Sequence, residues 1–236
     1  MIQQLARIFV FNALLMTFVL PGINVTFKKF FNSDNTYIYN FGIIGSIGLF
    51  MLLLILEISW VYVLFMNPGK LPSEISKRGI DRISHFQPCK KCFLPKPPRC
   101  HHCSRCGSCI LFMDHHCEAI GTCLGYRNFK VFILVLFYGS ITCLYGALIL
   151  ISAIFLTSGS RITQFFLAAF LIGLSIGLHF FGDVYIKHNR NNTTTIENIY
   201  PMLNEKPNLP HINLLDKGIW KFIPTPPHID PYLYLE

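Results

Sequence analysis

Residues 41–66 have the sequence FGIIGSIGLFMLLLILEISWVYVLFM, in which Glu57 is the one charged side chain. An α-helix needs about 20 predominantly apolar residues to cross the hydrocarbon core of a bilayer. Three other stretches have a similar length and character, namely residues 5–23, 129–157 and 162–186. We therefore predict an α-helical integral membrane protein with four transmembrane helices.

The composition supports a membrane protein. The chain of 236 residues is 52% hydrophobic and 14% charged, whereas a soluble domain carries roughly 25% charged residues. The stretch 5–23 has the position of a signal peptide, but it lacks a small-residue cleavage pattern. We expect it to be a retained helix that Pro21 and Gly22 close.

Basic residues predict the orientation of the helices. The formal net charge is +8, and Lys and Arg are concentrated between residues 67 and 130 and after residue 186. The only Lys and Arg residues in the connections 24–40 and 158–161 are Lys28, Lys29 and Arg161. Because basic loops stay in the cytosol, we expect both termini and the 67–128 segment to be cytosolic.

The predicted organisation has four segments. Residues 1–66 would hold helices one and two with a short lumenal loop, residues 67–128 a cytosolic cysteine-rich insert, residues 129–186 helices three and four, and residues 187–236 a cytosolic tail. The basic charge suits a bilayer surface and an anionic cofactor. No RNA- or DNA-binding signature is present, so we expect no nucleic-acid partner.

The insert is dense in metal-ligating residues. Eight of the nine cysteines and four of the nine histidines lie between Cys89 and Cys123. Cytosolic thiols stay reduced, so metal binding is a more natural use for them than disulfides. Zinc takes four such ligands, and two zinc sites would use eight of the twelve candidates. Spacing alone leaves open whether Cys106 pairs with Cys103 or with Cys109.

The four residues left over are the informative part. His115 and His116 are neighbours, so their rings face opposite ways in an extended segment. If one of them binds metal, the other lies on the same side as Cys117. That arrangement would place a base beside a thiol that no zinc occupies.

The sequence resembles the DHHC-type protein S-acyltransferases, also called palmitoyltransferases. The similarity runs from Cys89 to about Phe132 and includes KPPRCHHCSRCGSCILFMDHHC. Asn67-Pro68-Gly69 is similar to the family's Asp-Pro-Gly, and Thr194-Thr195-Ile196-Glu197 to its Thr-Thr-x-Glu. Four helices with a cysteine-rich zinc-binding insert between helices two and three are also this family's architecture.

The resemblance implies two structural zinc ions and a catalytic group. One zinc would be bound by Cys89, Cys92, His102 and Cys109, and the other by Cys103, Cys106, His116 and Cys123. Cys117 would be the acyl-accepting nucleophile, His115 its base, and Asp114 the group that orients His115. Cys100 and His101 receive no role, and no acyl-coenzyme A-binding residues can be named.

The implied reaction is a double displacement. Cys117 would take a fatty acyl group, such as palmitoyl, from acyl-coenzyme A and pass it to a substrate cysteine, with ping-pong kinetics. Because Cys117 lies a dozen residues before helix three, the expected substrates are membrane-associated proteins with juxtamembrane cysteines. Family habit favours the Golgi or the endoplasmic reticulum.

The match has departures that bear on activity, one of which is Gly121-Thr122 before Cys123, where the family usually has an Asn. The family usually has Pro-Trp after the nucleophile, where this chain has Glu118-Ala119. A carboxylate beside a thiol raises its pKa unless a cation offsets the charge. A weakly active or non-catalytic zinc-braced membrane scaffold of the same family is therefore the alternative. A transporter is disfavoured, because the chain has four helices and no repeat among them.

Overall fold

The computed structural model describes residues 2–71, 73, 84, 86–158, 161–199 and 222–224. These residues belong to two compact units. The helical unit comprises residues 1–61 and 135–182, and the cysteine-rich unit comprises residues 62–134 and 183–236. Most of the predicted cytosolic tail, residues 200–221 and 225–236, lies outside the described residues, as does most of 72–85. The boundaries of the four predicted segments stay predictions.

Three helices are long and apolar enough to cross a membrane, among the residues that the structure describes. They are α3 (Thr36–Phe65), α4 (Phe129–Leu156) and α5 (Ile162–Arg190). They correspond to three of the four predicted stretches. Helix α3 begins earlier than predicted because the Asn35 side-chain Oδ1 accepts hydrogen bonds from the backbone N–H groups of Tyr37 and Ile38, as a helix cap does.

The remaining stretch, 5–23, is helical in a different way from the prediction. Helix α1 (Ile2–Leu14) is followed by a π-helical turn (Leu15–Val19) and by helix α2 (Leu20–Phe31). Neither α-helix reaches the length of a span by itself, so the fourth crossing stays a prediction.

The prediction that Pro21 and Gly22 close the first helix was wrong. Pro21 lies in the first turn of α2, where its missing N–H is tolerated. The widened π-helical turn ends just before it, with the Leu20 N–H donating to the Leu15 carbonyl. The helix therefore continues to Phe31, and the connection predicted over 24–40 shortens to residues 32–35.

The helical unit packs through apolar and small side chains. One buried cluster combines residues of α2, α3 and α4, namely Ile23, Phe30, Leu49, Ile149 and Ala153. Helices α4 and α5 approach closely at Ser140 and Ser175, whose hydroxyls each donate to the other's backbone carbonyl at 3.0 and 2.9 Å. Small polar residues make such close contacts between membrane helices.

The ionisable group within α3 also has a structural partner. The Asn12 side-chain Nδ2 donates to Glu57 Oε1 at 2.9 Å, which links α1 to α3. A carboxyl group bonded within a helix bundle needs no transport role to explain it.

The cysteine-rich unit is built on two short antiparallel hairpins. Strands β1 (Cys100–Cys103) and β2 (Ser108–Leu111) form the first, and β3 (His115–Cys117) and β4 (Thr122–Leu124) form the second. His102 pairs with Cys109 across the first hairpin, and His116 pairs with Cys123 across the second. Each hairpin thus presents one imidazole and one thiol side by side.

The turn after α3 anchors the chain to the first hairpin. Asn67 Oδ1 accepts hydrogen bonds from the N–H groups of Gly69 and Lys70, both at 2.9 Å. The Gly69 carbonyl then accepts the N–H of Leu111 in β2 at 3.0 Å. An amide oxygen caps this turn as a carboxylate oxygen would, which explains why Asn can stand where the family has Asp.

Candidate functional site

Eight Cys and His side chains form two groups of four. Within each group all four ligand atoms lie within 4.8 Å of one another. The first group contains Cys89, Cys92, His102 and Cys109, and the second contains Cys103, Cys106, His116 and Cys123. The structure thus brings together the two sets of four that the resemblance implies. Cys106 is grouped with Cys103, which answers the alternative that spacing left open.

The distances between donor atoms fit a tetrahedral metal. In the first group the Cys92 and Cys109 sulfurs are 3.5 Å apart, and His102 Nδ1 lies 3.7 Å from Cys89 Sγ. In the second group the Cys106 and Cys123 sulfurs are 3.5 Å apart. Zinc bonds of about 2.3 Å to sulfur and 2.0 Å to nitrogen give tetrahedron edges of about 3.5–3.8 Å. Each group can therefore hold one zinc-sized ion.

The two groups repeat one another along the chain. Adding 14 to the numbers 89, 92, 102 and 109 gives 103, 106, 116 and 123. The backbone repeats as well: the residues that close successive turns, Phe93, Gly107 and Gly121, have φ angles of 60°, 63° and 64°. Left-handed backbone at a fixed spacing shows that the same turn is built three times.

Cys117 stands at the start of the third turn. It occupies the position of Cys89 in the first turn and Cys103 in the second, since 103 plus 14 is 117. The position that completes each Cys-x2-Cys pair is taken here by Ile120, which is fully buried. Cys117 therefore lies in a zinc-knuckle turn that has no second thiol, and it belongs to neither group of four. This spacing is a sequence signal that could have singled out Cys117 without the resemblance.

Asp114 connects the neighbourhood of Cys117 to helix α6 (Thr195–Ile199). Its Oδ2 lies 2.8 Å from His115 Nδ1, and its Oδ1 accepts the backbone N–H of Thr195 at 2.8 Å. The Asp114 carbonyl also accepts the N–H of Ile196 at 3.1 Å. Asp114 is 1% exposed. Both carboxylate oxygens are thus held in place, and His115 is held by one of them.

The pKa values of His115 and Cys117 move in opposite directions. Burial alone lowers the pKa of His115, but its hydrogen bonds to Asp114 and Cys117 and their negative charges raise it to about 9. Burial alone raises the pKa of the Cys117 thiol, but the hydrogen bond with His115 and the N–H groups of Ile120 and Ala119 bring it below its ordinary value. The arrangement stabilises an imidazolium beside a thiolate.

Tyr185, near the end of α5, is a site residue that sequence reasoning missed. Its ring stacks on the His115 imidazole, with centroids 5.7 Å apart and planes inclined by 21°. Tyr185 is far from the cysteines in sequence and belongs to no motif there. Nothing in the local pattern identifies it.

The Thr194–Glu197 segment both caps a helix and packs on the first hairpin. The Thr194 N–H donates to Glu197 Oε2 and the Glu197 N–H donates to Thr194 Oγ1, at 2.9 and 3.3 Å, which is a capping box. The same Glu197 carboxylate forms an ion pair with Arg99, which lies just before β1. The helix that supports Asp114 is thereby fixed to the insert.

A family model for the DHHC palmitoyltransferases matches residues 83–201, which is half of the chain. The chain belongs to this family. The matched region contains both hairpins, helices α4 to α6 and all eleven candidate site residues.

Several curated relatives of the DHHC family are similar to this chain. "Probable protein S-acyltransferase 16" of Arabidopsis thaliana is 32% identical over 179 residues, which cover 66% of this chain and 61% of the relative. "Palmitoyltransferase pfa3" of Emericella nidulans is 38% identical over 121 residues, 43% of this chain and 23% of the relative. "Palmitoyltransferase ZDHHC20" of Homo sapiens is 52% identical over 59 residues, 25% of this chain and 16% of the relative. The chain spans less than two thirds of the length of each.

The departure from the DHHC pattern at Glu118 has a counterpart in the structure. Glu118 is exposed and forms an ion pair with Arg105, which lies in the preceding turn between Cys103 and Cys106. Arg105 supplies the cation that offsets the negative charge next to Cys117. Because both side chains are exposed, the pair is screened by solvent and contributes little to stability.

Proposed function

We propose that this chain is a protein-cysteine S-palmitoyltransferase that carries a fatty acyl group as a thioester on Cys117. Membership of the DHHC family supports the reaction class. The observation that carries the assignment of the nucleophile is the Asp114–His115 pair beside Cys117, the thiol at the start of a knuckle turn that lacks its second ligand. An unligated thiol with a buried, carboxylate-held imidazole beside it has the components of an activated nucleophile.

The reaction would proceed by two thioester exchanges. The Cys117 sulfur attacks the carbonyl carbon of an acyl-coenzyme A, a new sulfur–carbon bond forms, and the bond to the coenzyme A sulfur breaks. His115 takes the Cys117 proton and gives it to the departing coenzyme A thiolate. A substrate cysteine sulfur then attacks the carbonyl carbon of the acylated Cys117, and the bond to the Cys117 sulfur breaks. His115 takes the proton of the substrate thiol and gives one to the departing Cys117 thiolate.

Asp114 would act through His115. Its Oδ2 binds His115 Nδ1, which leaves the other imidazole nitrogen for Cys117 and stabilises the imidazolium. Helix α6 holds Asp114 through the Thr195 N–H. The carboxylate oxygen of Asp114 that does not contact His115 is therefore fixed by a backbone hydrogen bond.

Two structural zinc ions would be held by the eight grouped side chains. When bound, each zinc links four side chains of a segment too small to fold on core burial alone, and so supplies folding free energy. Metal-bound thiolates share their lone pairs with the ion and make poor competitors for the acyl group. We assign the zinc ions no step in the reaction.

We further propose four transmembrane helices, with both termini and the cysteine-rich insert in the cytosol. The concentration of Lys and Arg in residues 67–130 and after residue 186 supports this orientation. The partners would be acyl-coenzyme A, the bilayer, and membrane-associated proteins with juxtamembrane cysteines. We propose the Golgi or the endoplasmic reticulum as its location, as family membership implies.

The decisive experiment is loading of the purified full chain with radiolabelled palmitoyl-coenzyme A. We expect a hydroxylamine-labile acyl group on wild type that is absent from Cys117→Ser. Cys143→Ser, which removes a thiol within α4, is the matched control and should load normally. A Glu118→Pro variant restores part of the family pattern. Failure of wild type and of Glu118→Pro to load would favour the non-catalytic scaffold.

A further inference from the structure

Tyr185, which contacts His115, is buried and packed on two sides. Tyr185 is 6% exposed. Two phenylalanines of α4 meet its ring edge-on: Phe132 with centroids 5.3 Å apart and planes at 89°, and Phe129 at 6.4 Å and 75°. Phe129 and Phe132 are themselves 2% and 5% exposed. The Tyr185 ring is therefore fixed in a close-packed aromatic cluster.

His115 needs a second constraint besides Asp114. A single hydrogen bond at Nδ1 fixes one edge of the imidazole but lets the ring plane tilt about that bond. The Tyr185 face lies nearly parallel to the imidazole, inclined by 21°, and opposes such a tilt. Offset stacking of aromatic rings is favourable beyond the area that it buries. The hydrogen bond to Asp114 at one edge of the imidazole and the Tyr185 ring on its face together fix the direction of Nε2.

We propose that Tyr185 is a positioning residue for acyl transfer, whose ring holds the His115 imidazole in the plane that directs its second nitrogen at Cys117. This inference rests on the proposed function. The ring carries the effect, because its face stacks on the His115 imidazole. Tyr185 contacts the proposed base, so it acts through His115.

The first test compares three side chains at one position. Tyr185→Phe keeps the ring, and its rate of acyl-enzyme formation should stay within about threefold of wild type. Tyr185→Leu removes the ring and should lower kcat on the order of 10- to 100-fold, since small misplacements of a catalytic group have effects of this size. The KM for palmitoyl-coenzyme A should change less than threefold. Equal losses in the Phe and Leu variants would overturn the proposal, because they would assign the effect to the hydroxyl.

A double-mutant cycle separates positioning from general packing. In a His115→Ala background Tyr185→Leu should lower the residual rate by less than about twofold, because the ring then has no imidazole to hold. A further loss of tenfold or more in that background would show that Tyr185 acts independently of His115 and would contradict the proposal. Two zinc ions per chain and an unchanged unfolding temperature define a folded variant. If Tyr185→Leu does not fold, Tyr185→Met, whose flexible side chain fills irregular gaps, replaces it.

A second readout distinguishes failure of this inference from failure of the proposed function. Alkylation of Cys117 by iodoacetamide at fixed pH, located by peptide mass spectrometry, needs no acyl transfer. We expect the Leu variant to react at least fivefold more slowly than wild type and the Phe variant to match wild type. If alkylation depends on the Tyr185 ring but the chain never loads palmitate, the proposed acyltransferase function is refuted. The role of Tyr185 in orienting His115 is then retained. Palmitate loading and alkylation that are the same in all three forms would refute the positioning alone.

Discussion

Arg99 and Glu197 form a two-point ion pair, with Nε 2.8 Å from Oε1 and Nη2 3.0 Å from Oε2. Their side chains are 10% and 2% exposed. Arg99 also donates from Nη1 to Asn192 Oδ1 at 2.7 Å and lies over the Phe112 ring. One guanidinium thus joins the residues before β1 to helix α6, whose Thr195 N–H binds the Asp114 carboxylate.

Glu197→Gln should destabilise the cysteine-rich unit. The substitution leaves Arg99 buried without a compensating carboxylate, and breaking a buried pair in this way costs about 3–5 kcal/mol. We expect a lower unfolding temperature of the detergent-solubilised protein and slower acyl loading. The matched control is Glu118→Gln, which breaks an exposed pair with Arg105 and should cost less than about 1 kcal/mol. Equal shifts in the two variants would contradict the structural role of Arg99.

Asp114→Asn should nearly abolish acyl loading while the protein keeps its metal. An amide has one acceptor oxygen, so either His115 Nδ1 or the Thr195 N–H must face an NH2 group. By analogy with an aspartate that orients a catalytic histidine, the rate should fall about 100- to 10,000-fold. Single-turnover loading and metal analysis together measure this. Loading at the wild-type rate would remove Asp114 from the mechanism.

Metal analysis should find two zinc ions per chain. A strong chelator should release both, abolish palmitate loading and expose the segment between Cys89 and Cys123 to protease, because the metal supplies its folding energy. Cys117→Ser should retain both ions and lose loading, whereas Cys92→Ser and Cys106→Ser should each weaken one site. A Cys117→Ser protein with a single zinc would place Cys117 among the ligands.

Ile120→Cys should make acyl loading sensitive to zinc. The substitution completes a third Cys-x2-Cys pair with Cys117, in a turn whose backbone matches the two preceding ones. We expect added zinc to inhibit loading of this variant and a mild chelator to restore it. Ile120→Ala is the control for the lost volume at a fully buried position, and zinc should not inhibit it. Equal zinc responses in both variants would refute the prediction that the turn at Cys117 becomes a zinc site when a second thiol is added.

The sequence was most informative where chemistry is local. The spacing of Cys and His indicated metal ligands, and hydropathy located α3, α4 and α5 to within several residues. The choice of ligand sets needed the family resemblance, because neighbouring cysteines and histidines compete on spacing alone. The hairpin register resolves that competition, since it places His102 opposite Cys109 and His116 opposite Cys123.

Features that depend on tertiary contacts could not be predicted. Tyr185 meets His115 only because α5 and α4 pack together, and no local pattern marks it. The pairing of Glu118 with Arg105 requires two successive turns to lie side by side. Pro21 was misjudged because its effect is absorbed by a π-helical turn, which periodicity does not reveal. For Tyr185 and Glu118 the deciding partner lies outside the window in which sequence patterns are interpreted, whereas for Pro21 the deciding feature is a local change of helix type.

Two cysteines that are 14 residues apart, one a candidate metal ligand and the other the proposed nucleophile, differ in one neighbouring side chain. Cys103 and Cys117 lie in equivalent turns, yet one is followed three residues later by Cys106 and the other by Ile120. A fold that prepares thiolates for coordination would thus need only one thiol removed to turn a ligand into the proposed nucleophile. Breaks in an otherwise regular array of zinc knuckles are therefore a place to search for reactive cysteines in chains that resemble no known enzyme.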